Sequence, residues 1–182
     1  MKRRKIVVSM MVSLDGYVEA PDPTEYWHNW NEEMDSYMMS YFETVDTFIY
    51  GRKSYEEMLE YWPAQSGEFA DVMNLTPKLV FSRSLQSLEW NSILLDEIDP
   101  DNFRQVLQEE GKDLVIFAGP DLIRSFRTHD LIDEYRLIIN PLILGGGKKL
   151  FQDVESTENL KLISSRQFDC GNILLIYTTT NR

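Results

Sequence analysis

The apolar positions change period several times along the chain, and each change marks an element. Lys5 to Ser13 is a near-continuous run of Val, Ile and Met, the pattern of a central strand buried on both faces. Leu14 to Asn31 interrupts it with Asp15-Gly16, Pro21, Pro23 and the rings of Tyr26, Trp27, His28 and Trp30. A loop is expected there, and so many rings suit it to covering a ligand. Met34, Tyr37, Met38, Tyr41, Phe42 and Val45 then recur at helical spacing and predict an amphipathic helix. A strand near Thr47 to Tyr50, a helix from about Lys53 to Tyr61 and a strand near Lys78 to Phe81 follow, and Ser92 to Leu95 fits a further short strand. Asp99-Pro100 is an N-cap and first-turn pair for a helix that buries Phe103, Val106 and Leu107 and stops at Gly111. Asp113 to Ala118 reads as a buried strand, and Gly119-Pro120 opens a helix carrying Leu122, Ile123 and Phe126. The last third is strand-rich: Glu134 to Asn140, Leu160 to Phe168 and Ile173 to Thr180, the final pair folded into a hairpin at Asp169-Cys-Gly-Asn172.

Strands alternating with helices early, then antiparallel strands late, describe an α/β sandwich around a mixed sheet. A dinucleotide-binding domain of the doubly wound kind would need G-x-G-x-x-G after the first strand, and Ser13-Leu-Asp-Gly-Tyr17 is not that. No linker, repeat or low-complexity run divides the chain, so residues 1–182 are expected to form a single domain.

Charge and cysteine usage narrow the function. A net charge of −12 argues against a nucleic-acid partner, which needs a basic face. The lone Cys170 excludes an intramolecular disulfide and fits a reducing cytoplasm, the expected location. Lys2-Arg3-Arg4-Lys5 reads as a solvated terminus, because the apolar run after it is short and interrupted by Ser9, Ser13 and Asp15. No apolar run is long enough to span a bilayer. His28 and His129 have no metal-ligand spacing, so no metal is expected.

Against this acidic background, Thr47-Phe-Ile-Tyr-Gly-Arg-Lys-Ser-Tyr-Glu stands out as an apolar strand running into Gly51, Arg52, Lys53 and Ser54 where a helix should begin. Such a turn offers free backbone N–H groups and positive charge to a phosphate. Ser82 and Arg83 end a neighbouring strand and could complete the clamp. The plainer alternative is an ordinary solvated helix start. Leu137-Ile-Ile-Asn-Pro-Leu-Ile-Leu-Gly-Gly-Gly-Lys-Lys-Leu-Phe151 is a buried-looking strand running into consecutive glycines, which implies unusual backbone angles or close approach of another segment.

Taken in order, these motifs resemble the dihydrofolate-reductase-like superfamily, most closely the reductase domain of the riboflavin-biosynthesis deaminase–reductases and its stand-alone relatives. The matching pieces are Ser13-Leu-Asp-Gly-Tyr17, Tyr50-Gly-Arg-Lys-Ser-Tyr55, Phe81-Ser-Arg83, Phe117-Ala-Gly-Pro-Asp-Leu122, and Asp133-Glu-Tyr-Arg-Leu with the later glycines. The resemblance implies a three-layer sandwich with a mixed, mostly parallel sheet and a C-terminal antiparallel hairpin. It implies NADPH as cofactor, held by Gly16, Gly51, Arg52, Lys53, Ser54, Ser82, Arg83, Ala118, Gly119, Pro120, Asp121 and Leu122. The wider superfamily usually joins Gly-Gly by a cis peptide where this chain has Ala118-Gly119.

The resemblance also implies substrate contacts from Met11, Trp30 and Asp35. Helical geometry puts Asp35 at the edge of the apolar stripe, beside Met38 and Phe42, a half-buried position suited to proton donation as the catalytic acid. It could equally be a first-turn acid that complements the helix dipole. The implied activity is an NADPH-dependent reduction of a heteroaromatic or pyrimidine-like small molecule, similar to 5-amino-6-(5-phosphoribosylamino)uracil reductase. A dihydrofolate reductase proper and a nucleotide-binding protein without catalysis are the alternatives. The H-x-E and P-C-x-x-C signatures of a zinc deaminase are absent from these residues, so a bifunctional enzyme is not expected. A homodimer is expected, with the apolar strand Leu137 to Leu144 buried between copies and the glycines allowing a second chain to approach. A central position in the chain's own sheet would explain that strand equally well.

Overall fold

A computed structural model describes residues 3–22, 24–154 and 157–180. The strands are β1 (Ile6–Ser13), β2 (Tyr17–Glu19), β3 (Val45–Gly51), β4 (Lys78–Phe81), β5 (Ser92–Leu95), β6 (Asp113–Ile116), β7 (Glu134–Asn140), β8 (Lys148–Lys149), β9 (Leu160–Gln167) and β10 (Ile173–Thr179). The helices are α1 (Glu32–Phe42), α2 (Arg52–Tyr61), α3 (Glu68–Leu75), α4 (Pro100–Val106) and α5 (Pro120–Thr128). The main sheet runs β5-β4-β3-β6-β1-β7-β10-β9. Every pairing from β5 across to β7 is parallel, and β10 is antiparallel to both β7 and β9. A separate two-stranded ribbon joins β2 to β8.

Period-two alternation divides the core between the sheet's faces. Ile6, Val8, Ile49, Leu114 and Ile116 face α4 and α5, packing on Phe103, Leu107, Ile123 and Phe126. Val7, Phe48, Tyr50 and Val115 face the opposite way, against Met34, Met38 and Phe42 of α1 and Met73 of α3. The result is the helix–sheet–helix sandwich that the pattern implied, a mixed, mostly parallel sheet with a C-terminal antiparallel hairpin. No described helix is long and apolar enough to cross a membrane.

Two expectations are corrected. The basic start is not simply solvated: Arg3 pairs with Asp133 at 2.7 Å, Lys5 pairs with Glu134 at 2.7 Å, and buried Arg4 pairs with Asp46, while Lys2 lies outside the described residues. These pairs tie the entrance of β1 to its neighbour β7 and, across β6, to β3. The strand after Leu137 stops at Asn140, because Pro141 has no N–H to donate and Leu142 folds back onto the Asn140 carbonyl at 2.8 Å. Ile143 is consequently 72% exposed. The glycines that follow do meet the close approach their run implied, from the chain's own loop: a Cβ on Gly147 would stand 1.9 Å from the Glu19 carbonyl oxygen, and one on Gly146 would stand 3.1 Å from Pro21.

Candidate active site

The parallel strands β3 and β6 are neighbours, so the helices that follow them start side by side at the carboxyl edge of the sheet. α2 begins on Gly51 and α5 on Gly119, and neither N-cap supplies a side-chain hydrogen bond. Elsewhere α1 is capped by Asn31 and α4 by Asp99, while α3 also starts on a glycine, Gly67, without a side-chain cap. A Cβ on Gly51 would lie 3.9 Å from Leu122 Cδ2, which fixes how close the two helix starts are. Their first N–H groups therefore point from adjacent dipole ends toward one region. A Cβ on Gly119 would meet nothing within 4 Å, so space is open directly over the α5 start.

Arg52, Lys53 and Ser54 form the first turn of α2, as the motif implied. Gly51 pairs in register with Phe81, which brings Ser82 and Arg83 to the same edge. Arg52 reaches Glu56 at 3.3 Å. Lys53 reaches Glu19 at 3.0 Å, and Glu19 also approaches Lys148 at 3.7 Å. The hydrogen bond it donates to Glu19 raises the Lys53 ammonium above its usual pKa, so it stays charged. Arg83 is exposed and has no ion pair among the described residues. Backbone donors and cations of this kind suit the phosphates of a dinucleotide such as NADPH.

Two of the residues expected at the cofactor have side chains committed elsewhere. The Ser82 hydroxyl accepts from the N–H groups of Ser84 and Leu85, both at 3.1 Å, and so holds the turn after β4. Ala118 is 2% exposed, its methyl packed into the core on the α5 side, and its bond to Gly119 is trans like the other described peptide bonds. Only its backbone is left to face a ligand. Asp121 lies in the exposed first turn of α5, 3.4 Å from Arg124.

The Gly16 turn closes the rim. The Asp15 carboxylate accepts from Ser13 Oγ at 2.7 Å and from the N–H groups of Leu144 and Gly145 at 3.1 and 2.8 Å. The Ser13 hydrogen bond leads in holding that carboxyl below its usual pKa. Gly16 adopts φ +90 and accepts from Leu150 N at 2.9 Å. Asp15 thus acts as a bolt between the first turn and the glycine loop.

On the α1 side of the sheet, half-buried Trp30, Trp62, Phe69 and Phe117, joined through buried Phe42, form a shelf that continues to the cofactor turn. Trp30 meets Phe69 of α3 edge-on at 6.3 Å, and Phe69 stacks on Trp62 at 5.3 Å. Phe42 links Phe69, at 5.4 Å, to Phe117, at 6.2 Å. Phe117 immediately precedes Ala118-Gly119. Met11 packs partly buried against the same cluster as Trp30 and Phe117. Asp35 is exposed rather than half-buried. Its Oδ1 accepts the Trp30 indole N–H at 2.7 Å, so it orients the first ring of the shelf. Trp62 and Phe69 lie in a stretch without helical periodicity long enough to read, and their only sequence signal was aromatic content. A separate polar groove at the far end of α5 is lined by Arg124 and Arg127, which pair with Asp153 and Glu158 at 2.8 and 3.1 Å.

The RibD C-terminal domain family matches residues 4–174, nearly the whole described chain. The chain belongs to that family. YyaP of Bacillus subtilis (strain 168), a protein of uncharacterised role, is 30% identical over 97% of this chain and 96% of its own. A provisionally named riboflavin biosynthesis protein from Shewanella sp. PV-4 superposes with a TM-score of 0.75 at 22% identity, covering 97% of this chain and 99% of that one. A diaminohydroxyphosphoribosylaminopyrimidine deaminase/5-amino-6-(5-phosphoribosylamino)uracil reductase from Thermotoga maritima gives a TM-score of 0.66 at 14% identity. It covers 98% of this chain but 57% of that longer one. At these identities the two structures establish a shared fold, and the RibD C-terminal domain has here the sheet and helix starts described above.

Proposed function

We propose that this RibD C-terminal domain is an NADPH-dependent reductase of small heteroaromatic or pyrimidine-like compounds. The observation that carries the reading is the pair of uncapped helix starts at Gly51 and Gly119, placed side by side with Arg83 on the same sheet edge. The N–H groups of α2 and α5 bind the diphosphate, and Arg83 with Arg52 and Lys53 attracts the 2′-phosphate. Gly119 lets the cofactor approach the backbone closely.

When bound, the dihydronicotinamide supplies a hydride to an imine-like or carbonyl carbon of the substrate. The protein's residues hold the reactants in place. The Asp15 bolt keeps the glycine loop over the end of β1, and the ring shelf from Trp30 to Phe117 presents a flat substrate beside Ala118-Gly119. The balancing proton comes from solvent, in contact with exposed Asp35.

Titration of the protein with NADPH and with NADH, read by tryptophan quenching, tests the cofactor assignment directly. Tighter binding of NADPH, followed by its oxidation in the presence of a pyrimidine or pteridine panel, is expected. Equal binding of the two nucleotides removes the 2′-phosphate assignment. Tight NADPH binding with no oxidation across the panel favours a nucleotide-binding role without catalysis.

A further inference from the structure

Arg127 carries more hydrogen-bond donors than the fold uses. Its side chain is 10% exposed, and a guanidinium has five N–H groups to satisfy. Among the described residues only Nη1 has a partner, Glu158 Oε1 at 3.1 Å. Complementing the negative end of α5 needs only the charge, and tethering Glu158 needs only one nitrogen. Neither role recovers the cost of keeping the remaining donors largely out of water.

Arg127 lines a polar groove of about 530 Å³ that is distinct from the cofactor cradle. The cradle lies at the start of α5 and the groove at its end, about 12 Å apart along the axis of that helix. Arg124 stands one turn earlier on the same ridge, and Ser125 and Thr128 line the groove with the two arginines. Tyr135 of β7 completes the arrangement. It is 1% exposed, and its hydroxyl has no hydrogen bond among the described residues. Burial pushes the pKa of that hydroxyl up, and the charges next acting on it are those of Glu158 and Arg127, which sets it beside their ion pair. The group therefore keeps its proton and is a donor without an acceptor.

Glu158 is an acceptor that can be replaced. Its own side of the pair is 38% exposed, and ion pairs open to water contribute little. A free oxyanion reaches Arg127 through two parallel N–H bonds and adds the Tyr135 hydroxyl as a third donor, where Glu158 makes a single bond. The acids lining the groove, Asp130, Asp153 and Glu158, are all exposed, so solvent screens them more than it screens Arg127.

We propose that this groove is a binding site for a small oxyanion, the carboxylate or phosphate group of a polar metabolite, seated on Arg127 and the Tyr135 hydroxyl in place of Glu158. The site stands apart from the reductase reading and does not depend on it. Its occupant unties Glu158, and with it one end of the segment between β8 and β9, from α5.

Calorimetric titration of the full chain with succinate, inorganic phosphate and methyl phosphate tests the site. Binding in the millimolar range or tighter is expected for at least one probe. Succinate alone supports the proposal with a carboxylate as occupant, and the phosphates alone support it with a phosphate. Arg127→Gln should weaken that binding about ten-fold or more, the scale of a lost charge-assisted pair. Tyr135→Phe keeps the ring and should weaken it about three-fold. Glu158→Gln removes the competing carboxylate and should tighten it about three-fold. Wild-type affinity in both Tyr135→Phe and Glu158→Gln overturns the proposal, and so does binding of none of the probes. Binding that survives Arg127→Gln unchanged, or that NADPH abolishes, belongs to the helix starts at Gly51 and Gly119 and overturns it as well. Melting temperatures of the variants are measured alongside, and the opposite signs expected for Tyr135→Phe and Glu158→Gln separate the site from a general loss of folding.

Discussion

The backbone N–H of Asn29 donates to Oδ1 of Asn140 at 2.8 Å, across a sequence separation of 111 residues. Asn140 ends β7 with 0% exposure, and its Nδ2 is spent on the Ile138 carbonyl. From the other side, buried Asn172 donates to the Asn29 carbonyl at 2.6 Å, and Asn29 donates its own amide to the Cys170 carbonyl. The residue before Trp30 is thus held through both its backbone groups and its side chain. Loop sequences rarely specify their path so fully, and buried amides of this kind are costly to leave unpaired.

Asn140→Leu keeps the volume but strands the Asn29 N–H. We expect a loss of about 1–3 kcal/mol in urea unfolding. Substrate KM should rise more than the NADPH dissociation constant, because the variant loosens Trp27 to Trp30 and leaves α2 untouched. An equal loss of both affinities would mean that the clasp supports the whole site.

Glu19 stands where it shields Lys53 and Lys148 from an incoming phosphate. Exposed ion pairs are weak, so a phosphate can displace it. Glu19→Gln is expected to tighten NADPH binding about three-fold in a fluorescence titration at low salt, on the scale of such pairs. Arg83→Ala should weaken NADPH about ten-fold or more and leave NADH unchanged, since a charge-assisted bond contributes about 1.5–3 kcal/mol.

Lys78 gives the stability of the protein a pH dependence. The residue is 1% exposed, its ammonium bonded to the carbonyls of Asn74 and Thr76 at 3.3 and 2.6 Å and set 4.1 Å over the Trp90 ring, with no ion pair among the described residues. Burial pushes it down to about 8. The unfolded chain holds that proton up to about pH 10.4 and the folded chain releases it earlier, so stability rises between these values. The rise is about 3 kcal/mol, and below about pH 8 the full cost of the buried charge remains. Tyr41 and Tyr50, whose hydroxyls burial pushes up, act oppositely. They ionise near pH 10 only when unfolded, so stability falls above about pH 10. Urea midpoints measured from pH 7 to 11 should therefore pass through a maximum, and Lys78→Met should abolish the rising limb.

Assembly is expected at the β9 edge rather than at β7, which is enclosed between β1 and β10. Leu162 and Ile163 are 49% and 55% exposed on that outer strand, beside an unpaired backbone row. A homodimer pairing there should become monomeric in Ile163→Lys. Light scattering at micromolar concentration decides it, and a monomeric wild-type mass would leave β9 an ordinary edge.

Strong periodicity made the main sheet readable. β4 and β5 are found with the bounds their apolar runs indicated, and Asp99 caps α4 through two N–H groups as its position before Pro100 implied. α3 escaped notice because it starts on uncapped Gly67 and runs for only 8 residues. The β2–β8 ribbon escaped for a similar reason, its strands being 3 and 2 residues long. Arg4 illustrates a different limit: local sequence shows a cation, and only the fold supplies Asp46. Asp35 was placed on the right border of its helix, yet a border is buried only if something lies against it.

The Asp15 bolt reaches Gly145 over a separation of 130 residues. Contacts that distant in sequence form late, after closer strands have paired and the loop-closure cost has fallen. The closer pairings of β3 with β4, β4 with β5 and β9 with β10 can therefore form while β1 and the rim above it are still open. A chain caught at that stage would have part of its sheet but no cofactor cradle, so nucleotide present during refolding captures molecules only at the final step. NADPH should leave the early rate of refolding unchanged and raise the yield of the last phase.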